Sequence, residues 1–151
     1  MSLDDVGNIG ELIGAVGVII TLIYLAVQIR QNTSALKATS HQEATREAAD
    51  FVAQIAGDGD IARIFSKGGK DWNCLEGDEK LRFSMLLFRV FFNFQNTYNL
   101  HQNGGIDDEY WESQLGVMMW FMGMPGVRSW WDVGKIQLRK SFVEFIEQQI
   151  A

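Results

Sequence analysis

The chain has 151 residues, of which 47% are hydrophobic and 21% charged, and its 13 basic and 19 acidic side chains give a net charge of −6. This acidic balance argues against a nucleic-acid partner, because nucleic-acid binding depends on a basic face. The single cysteine, Cys74, excludes a disulfide framework within the chain and is typical of a reducing compartment.

The most hydrophobic stretch lies near the amino terminus, over residues 6–29. Its inner part, residues 12–27, has no charge, and its only polar side chains are those of Thr21 and Tyr24. As a helix the inner part is roughly 24 Å long and the whole stretch roughly 36 Å, against a bilayer core of about 30 Å. We therefore predict that residues 1–32 hold one transmembrane helix and its flanks.

Two other interpretations of this stretch stay open. A buried core helix is compatible with a charge-free run that is shorter than about 20 residues. A cleavable signal peptide would need a basic region at its start, whereas residues 1–29 contain no Lys or Arg. The length of the stretch and its lack of charge favour the spanning helix.

The charges on either side of the stretch predict its orientation. All 13 Lys and Arg residues lie at or after Arg30, whereas Asp4 and Asp5 precede the stretch. Because basic residues flank a span on its cytoplasmic side, we expect an external amino terminus and a cytoplasmic domain in the inner (cytoplasmic) membrane. Tyr24 and Arg30 then suit the inner headgroup layer, which makes the lipid bilayer a predicted partner.

Four glycines recur within the predicted span. Gly7, Gly10, Gly14 and Gly17 are separated by three, four and three residues, so they share one face of a helix. Gly10-x-x-x-Gly14 is the small-residue pattern that allows two transmembrane backbones to approach closely. We predict a helix–helix interface on this face, with another copy or a different membrane protein; the alternative is that glycine is simply frequent in membrane helices.

Asn8 and Glu11 are three residues apart and lie near the outer end of the same helix. A carboxylate at the edge of hydrocarbon is costly unless it reaches water or headgroups or pairs inside a bundle. One interpretation is an interfacial acid that complements the helix dipole. The other is a polar ring at the outer mouth of a homo-oligomeric pore for cations, with Thr21 and Gln28 along or below the passage.

The rest of the chain, residues 33–151, predicts a helical domain. No Gly or Pro interrupts residues 33–56, and an apolar stripe follows them near helical period, so the first helix should continue out of the membrane as one rod or with a slight bend. Residues 57–59, Gly-Asp-Gly, should end it. Asp60 should then cap a short helix through Phe65, which the next two glycines end.

The following helix is the predicted centre of the domain. Asp78 should cap it, and it should end at Asn103. Its apolar residues form two stripes, Phe83, Leu87, Phe91, Phe94 and Tyr98 in one and Leu81, Met85, Phe88 and Phe92 in the other. A helix with two apolar sides is expected to be packed from both.

A further helix should open at Asp107 and lead into residues 115–127, an uncharged segment rich in Met and Trp that is too short to span a membrane. This segment is either core or an exposed patch, since Met and Trp adapt to irregular surfaces. The residues of the possible partner surface are Met118, Met119, Trp120, Met122, Trp130 and Trp131. With a last amphipathic helix from about Ser141, the domain has four or five helices and no strand signal, which predicts an all-α protein.

The sequence contains no pattern that predicts catalysis. Neither His41 nor His101 stands in a metal-ligand spacing, and the single cysteine cannot form a C-x-x-C pair. The phosphate-binding glycine loops and the nucleophile elbow are absent from the sequence. We therefore predict no catalytic residue, no metal, no cofactor and no enzymatic activity.

The chain resembles an uncharacterised family of small bacterial membrane proteins. The resemblance lies in Gly10-Glu11 with Gly14, in the motif YLAVQIRQNT over residues 24–33, and more loosely around Trp130-Trp131. It implies a single amino-terminal span and a helical cytoplasmic domain, and it carries no activity over to this chain.

Two functions remain on these grounds. In the first, the protein self-assembles or serves as an accessory or scaffold subunit of a membrane complex. In the second, copies form a cation-conducting pore with Glu11 at its outer mouth. Between Glu11 and Gln28 only Thr21 offers a polar lining, so such a passage would be largely apolar and prone to dewetting, which favours assembly without conduction.

Overall fold

The computed structural model describes the backbone of residues 3–151 and the side chains of residues 10–151. Two residues predicted to be functional, Gly7 and Asn8, lie outside the residues whose side chains are described. Within residues 3–151 there are six α-helices: α1 (Leu3–Gly57), α2 (Gly59–Lys70), α3 (Gly77–Gln102), α4 (Asp108–Met122), α5 (Pro125–Gly134) and α6 (Lys140–Ile150). Two short 3₁₀ turns, Trp72–Cys74 and Lys135–Gln137, complete the regular structure, and this part of the chain has no strand. The all-α prediction is confirmed.

The chain forms two compact units, Met1–Thr39 and Ser40–Ala151. The first unit is helical from Leu3, and every residue from Gly10 to Leu36 is exposed. The hydroxyl of Thr21 donates a hydrogen bond of 2.9 Å to the carbonyl oxygen of Gly17, one turn earlier. The hydrogen of this hydroxyl therefore has its acceptor within the same helix.

The second unit contains the carboxyl-terminal part of α1 and the five following helices, with α3 at its centre. Phe83, Leu87 and Phe91 of α3 are fully buried, and Phe94 is nearly so. The second predicted stripe is different, since Leu81, Met85 and Phe92 are 57%, 53% and 45% exposed. The prediction that α3 is packed from both sides is therefore wrong for these three residues. Phe88, the fourth residue of this stripe, is half-buried and packs against Trp130 of α5.

Helix α2 begins earlier and ends later than predicted. The carboxylate of Asp58, not that of Asp60, caps it by accepting hydrogen bonds from the backbone N–H groups of Asp60 and Ile61. The helix then passes through Gly68 and Gly69 to Lys70. These glycines do not end the helix: both are buried inside α2, and Gly68 lies directly against Phe83 and Leu75.

That packing brings α2 and α5 into backbone contact. A Cβ placed on Gly126 of α5 would overlap the carbonyl oxygen of Gly68, and a Cβ on Gly68 would lie about 2.5 Å from the Phe83 ring. Both contacts would be closer than 3.0 Å, a separation that real Cβ atoms essentially never show. Glycine is therefore required at both positions by close approach rather than by a special backbone conformation.

The remaining helix ends follow ordinary capping chemistry. Asp107 caps α4 by accepting from the backbone N–H of Tyr110, and Pro125 opens α5. Helix α3 begins at Gly77 rather than after Asp78. It ends at Gln102, with Asn103 as its C-cap and Gly104 in the left-handed region at a φ of 67°. Glycine has no steric penalty in that conformation.

Candidate functional site

The first candidate site is the surface of the hydrophobic part of α1. Within the described residues, the helix Gly10–Gly57 is long and apolar enough to cross a membrane, and its most apolar 18-residue window is not buried at all. Large side chains such as Leu12, Ile13 and Ile23 are 60% exposed or more. A contiguous apolar surface of this kind on a monomer indicates contact with lipid or with another protein.

The predicted glycine face lies on this surface. At Gly10, Gly14 and Gly17 a Cβ would meet no heavy atom within 4 Å. The face is therefore open, and the conformation of α1 does not depend on these glycines. Glu11, Tyr24 and Arg30, which were predicted for the mouth of a pore and for the headgroup layer, are also exposed.

The segment rich in Met and Trp divides between core and surface. Met118 and Met122 are each 1% exposed, and Trp130 and Trp131 are 1% and 3% exposed. The partner-surface alternative is wrong for these four residues, because their side chains pack inside the domain around α3. Met119 is half-buried.

Trp120 is the exception in this segment, since its side chain is 60% exposed. It lies on the edge of Phe121, with the two ring centroids 5.1 Å apart. Its ring forms part of the wall of a surface cleft. Of the six residues predicted as a partner surface, Trp120 is the one whose side chain is mostly exposed.

This cleft has a volume of about 540 Å³ and lies entirely within the second unit, between α1, α2, α3 and α4. Phe51, Val52 and Ile55 of α1 form one wall, opposite Phe94 of α3 and Trp120 of α4. Its size falls within the roughly 300–1,000 Å³ of ligand pockets in proteins. The apolar stripe of residues 33–56 was one sequence signal for this cleft, but the stripe does not indicate which surface it faces.

Four polar residues also line the cleft: Glu47, Arg89, Asn93 and Gln114. Arg89 lies between α3 and α1, where its Nη1 donates a 2.8 Å hydrogen bond to Oε1 of Gln54. Its Nη2 lies 3.3 Å from Oε2 of Glu47, and its side chain is 36% exposed. Charge-assisted N–H···O bonds are usually about 2.7–2.9 Å long, so the ion pair with Glu47 is a long one.

A second charged cluster joins α2 to the start of α3. Glu79 accepts from Arg63 Nη1 at 2.6 Å and from Lys67 Nζ at 2.8 Å. The hydrogen bond from Lys67 and then that from Arg63 lower the pKa of the Glu79 carboxyl below its ordinary value of 4.5. The cluster fixes one helix against another, and it lies outside the cleft.

The lowered pKa of Glu79 predicts a loss of stability in acid. A carboxyl whose folded pKa is below its unfolded pKa stabilises the fold above the unfolded value and stops doing so as the pH falls through the folded value. The urea midpoint of the full-length protein should therefore fall as the pH drops from just above 4.5. Glu79→Gln should lower the midpoint at pH 7 and reduce this acid-dependent loss.

Glu112→Gln is the matched control, because Glu112 is an exposed glutamate of α4. It should leave the midpoint at pH 7 and its fall in acid close to those of the wild type. Equal acid sensitivity of the Glu79→Gln variant and the wild type would contradict the role of Glu79.

The two histidines bind to acidic residues at the start of α4. His101 Nε2 lies 3.0 Å from Oδ1 of Asp108, and its ring stacks on Trp111. His41 Nε2 lies 3.5 Å from Oδ2 of Asp107, and its ring stacks on that of Tyr110. These contacts connect α1, α3 and α4. Among the described residues no group of three or more His, Cys, Asp or Glu side chains is placed to hold a metal ion.

Comparison with protein-family models, with curated proteins and with solved structures finds no match for this chain.

Proposed function

We propose that this is a single-span membrane protein whose glycine face joins it to another transmembrane helix. The partner helix belongs to another copy of the chain or to a larger membrane complex, in which the protein is an accessory or scaffold subunit. The domain of residues 33–151 then lies on the cytoplasmic side of the inner membrane, as the positions of the basic residues favour. This arrangement has no catalytic step.

The observation that carries the proposal is the exposure of the whole uncharged stretch, residues 12–27, together with the open face of Gly10, Gly14 and Gly17. In water this surface would be strongly unfavourable, since burying a side chain such as Leu or Ile is worth about 1.5–3 kcal/mol. In lipid the same apolar side chains are out of contact with water, so this cost is absent. The glycines then allow a second backbone to approach, which is how transmembrane helices without polar contacts associate.

Assembly without conduction has more support than a pore. A conducting passage needs polar groups along its length, and Thr21 is the one candidate between Glu11 and Gln28. The hydroxyl of Thr21 donates to the carbonyl of Gly17 in the same helix. Its hydrogen is directed to the backbone while its oxygen stays an acceptor, so one hydroxyl oxygen per copy is what this stretch offers to replace the hydration shell of a cation.

Gly14→Ile tests the glycine face. A branched side chain on this face should hold the two backbones apart and weaken association by about tenfold or more, which corresponds to about 1.4 kcal/mol or more. The measurement is the mass of the complex formed by the full-length protein, extracted in mild detergent and resolved well enough to count copies and detect other subunits. Wild-type protein should give a complex and Gly14→Ile a monomer.

Ala15→Ile is the matched control, because it adds nearly the same bulk one residue along the helix, about 100° away from Gly14. This variant should keep the wild-type mass. A monomeric wild type would overturn the proposal, and so would an equal loss of the complex in the two variants. A complex that contains other proteins would identify the accessory role, and a single homo-oligomeric mass would identify self-assembly.

A further inference from the structure

We propose that the cleft of the second unit binds an uncharged aromatic molecule of about two fused rings. The ring system lies between α1 and the pair α3 and α4, and its recognition needs no charged group. This site does not depend on how the span associates, because all of its residues belong to Ser40–Ala151.

The charged groups of the cleft are already paired with each other. Glu47 and Arg89 are the two charged residues of the lining, and Arg89 bonds to Gln54 as well as to Glu47. Gln54 lies two helical turns after Glu47 on α1, so the guanidinium bridges these two positions and its charge is neutralised there. An ionic ligand would have to break this bridge or bring an unpaired charge into the cleft, which is costly. An uncharged ligand leaves the bridge in place.

Aromatic rings give the cleft its preference for a flat ligand. Four rings have their centroids 5.1–6.2 Å from that of Phe121, namely Phe51, Phe65, Phe94 and Trp120. Phe51 and Phe65 are half-buried and Trp120 is 60% exposed, so these three rings still have free surface. Aromatic rings at such distances attract each other beyond the effect of the buried area. An aromatic ligand therefore gains contacts here that an aliphatic ligand of the same size does not.

The volume of the cleft sets the size of the ligand. An apolar cavity of about 150 Å³ takes up benzene, and this cleft has about 540 Å³, which leaves room for two fused rings. Two uncharged amides, those of Asn93 on α3 and Gln114 on α4, belong to the lining. Each amide can donate or accept a hydrogen bond, so a hydroxyl or carbonyl group on the ring system can be bound without any charge.

The test titrates 2-naphthol into the full-length protein in phosphatidylcholine nanodiscs and follows the heat by calorimetry. Its hydroxyl, like the phenol of tyrosine, is uncharged at pH 7. Protein-free discs give the partition into lipid, which is subtracted, and affinities refer to the free compound in the buffer. We expect saturable binding of one 2-naphthol per chain, with 2-naphthoate, the same rings carrying a carboxylate, at least tenfold weaker. Equal or tighter binding of 2-naphthoate would overturn the proposal.

A saturated analogue tests the aromatic class. Decahydro-2-naphthol has the same carbon skeleton and the same hydroxyl without aromatic rings, and it should bind several-fold more weakly than 2-naphthol. Trp120→Leu keeps an apolar side chain on the wall but removes a ring, so it should weaken 2-naphthol several-fold and reduce its preference over the saturated analogue. Equal affinity of the wild-type protein for the two compounds would overturn the proposal.

Ala48→Phe and Ala49→Phe form a matched pair for the cleft itself. Both alanines are exposed on α1, but Ala48 lines the cleft and Ala49 does not. Ala48→Phe should abolish the binding of 2-naphthol, and Ala49→Phe should leave it unchanged. Equal binding by the two variants, no saturable binding above that of empty discs, or a change of oligomeric mass in Ala48→Phe alone would overturn the site; the last result would mean that protein fills the cleft.

Discussion

Replacing Gly126 by alanine is expected to destabilise the helical domain severely. The new Cβ would overlap the carbonyl oxygen of Gly68, which is a backbone atom of α2. A crowded side chain can turn to another rotamer, but here α2 and α5 would have to move apart as whole helices. We expect a loss at or above the upper end of the roughly 1–3 kcal/mol that overpacking costs, measured as the urea midpoint of the full-length protein in mild detergent.

Gly116→Ala is the control for this substitution, since a Cβ at Gly116 of α4 would meet no heavy atom within 4 Å. Alanine inside a helix is favoured over glycine by about 0.5–1 kcal/mol. The same chemical change should therefore stabilise the domain at Gly116 and destabilise it at Gly126. A Gly126→Ala variant as stable as the wild type would show that α2 and α5 are not in backbone contact.

Trp130→Ala is the second substitution with a large expected effect. Trp130 is 1% exposed, and its ring centroid lies 5.0 Å from that of Phe88 and 5.5 Å from that of Phe91. Gly134, one turn later on α5, leaves room for the indole, since a Cβ there would run into the ring. Truncation removes this contact area and leaves a cavity, which costs about 3–5 kcal/mol for a buried tryptophan.

Trp120→Ala provides the comparison, because the Trp120 ring is 60% exposed. Its expected effect on the free energy of unfolding is within about 0.5 kcal/mol. The measurement is again urea unfolding, followed by far-ultraviolet circular dichroism because each substitution removes one of the five tryptophans and so alters the fluorescence signal. Similar losses in the two variants would contradict the assignment of Trp130 to the core and Trp120 to the surface.

The two tryptophans show why local pattern was insufficient in the segment rich in Met and Trp. Trp120 stands in the uncharged segment and Trp130 stands between Arg128 and Asp132, and for both of them the sequence left core and interface open. The difference between them is the position of α3, which packs against Trp130 and leaves Trp120 exposed. The same reason explains the second stripe of α3, where Leu81 and Met85 are as apolar as the buried stripe and yet exposed.

The predicted role of two glycines in α2 was also wrong. Gly68 and Gly69 were expected to end a helix, since glycine commonly follows the last helical turn. They lie instead inside α2, where Gly68 meets Gly126 of α5. The two glycines of this contact are 58 positions apart in the sequence, and no local propensity connects residues at that separation.

The sequence by itself determined the all-α class, the uncharged stretch of residues 12–27, and helix ends such as Asp107 and Asn103, because periodicity, charge and capping act over a few neighbouring residues. Only the tertiary structure decided which apolar faces are covered, where two helices touch through glycine, and that α1, α2, α3 and α4 enclose a cleft lined by Arg89. Those features depend on residues distant in the chain that become neighbours only when the helices pack.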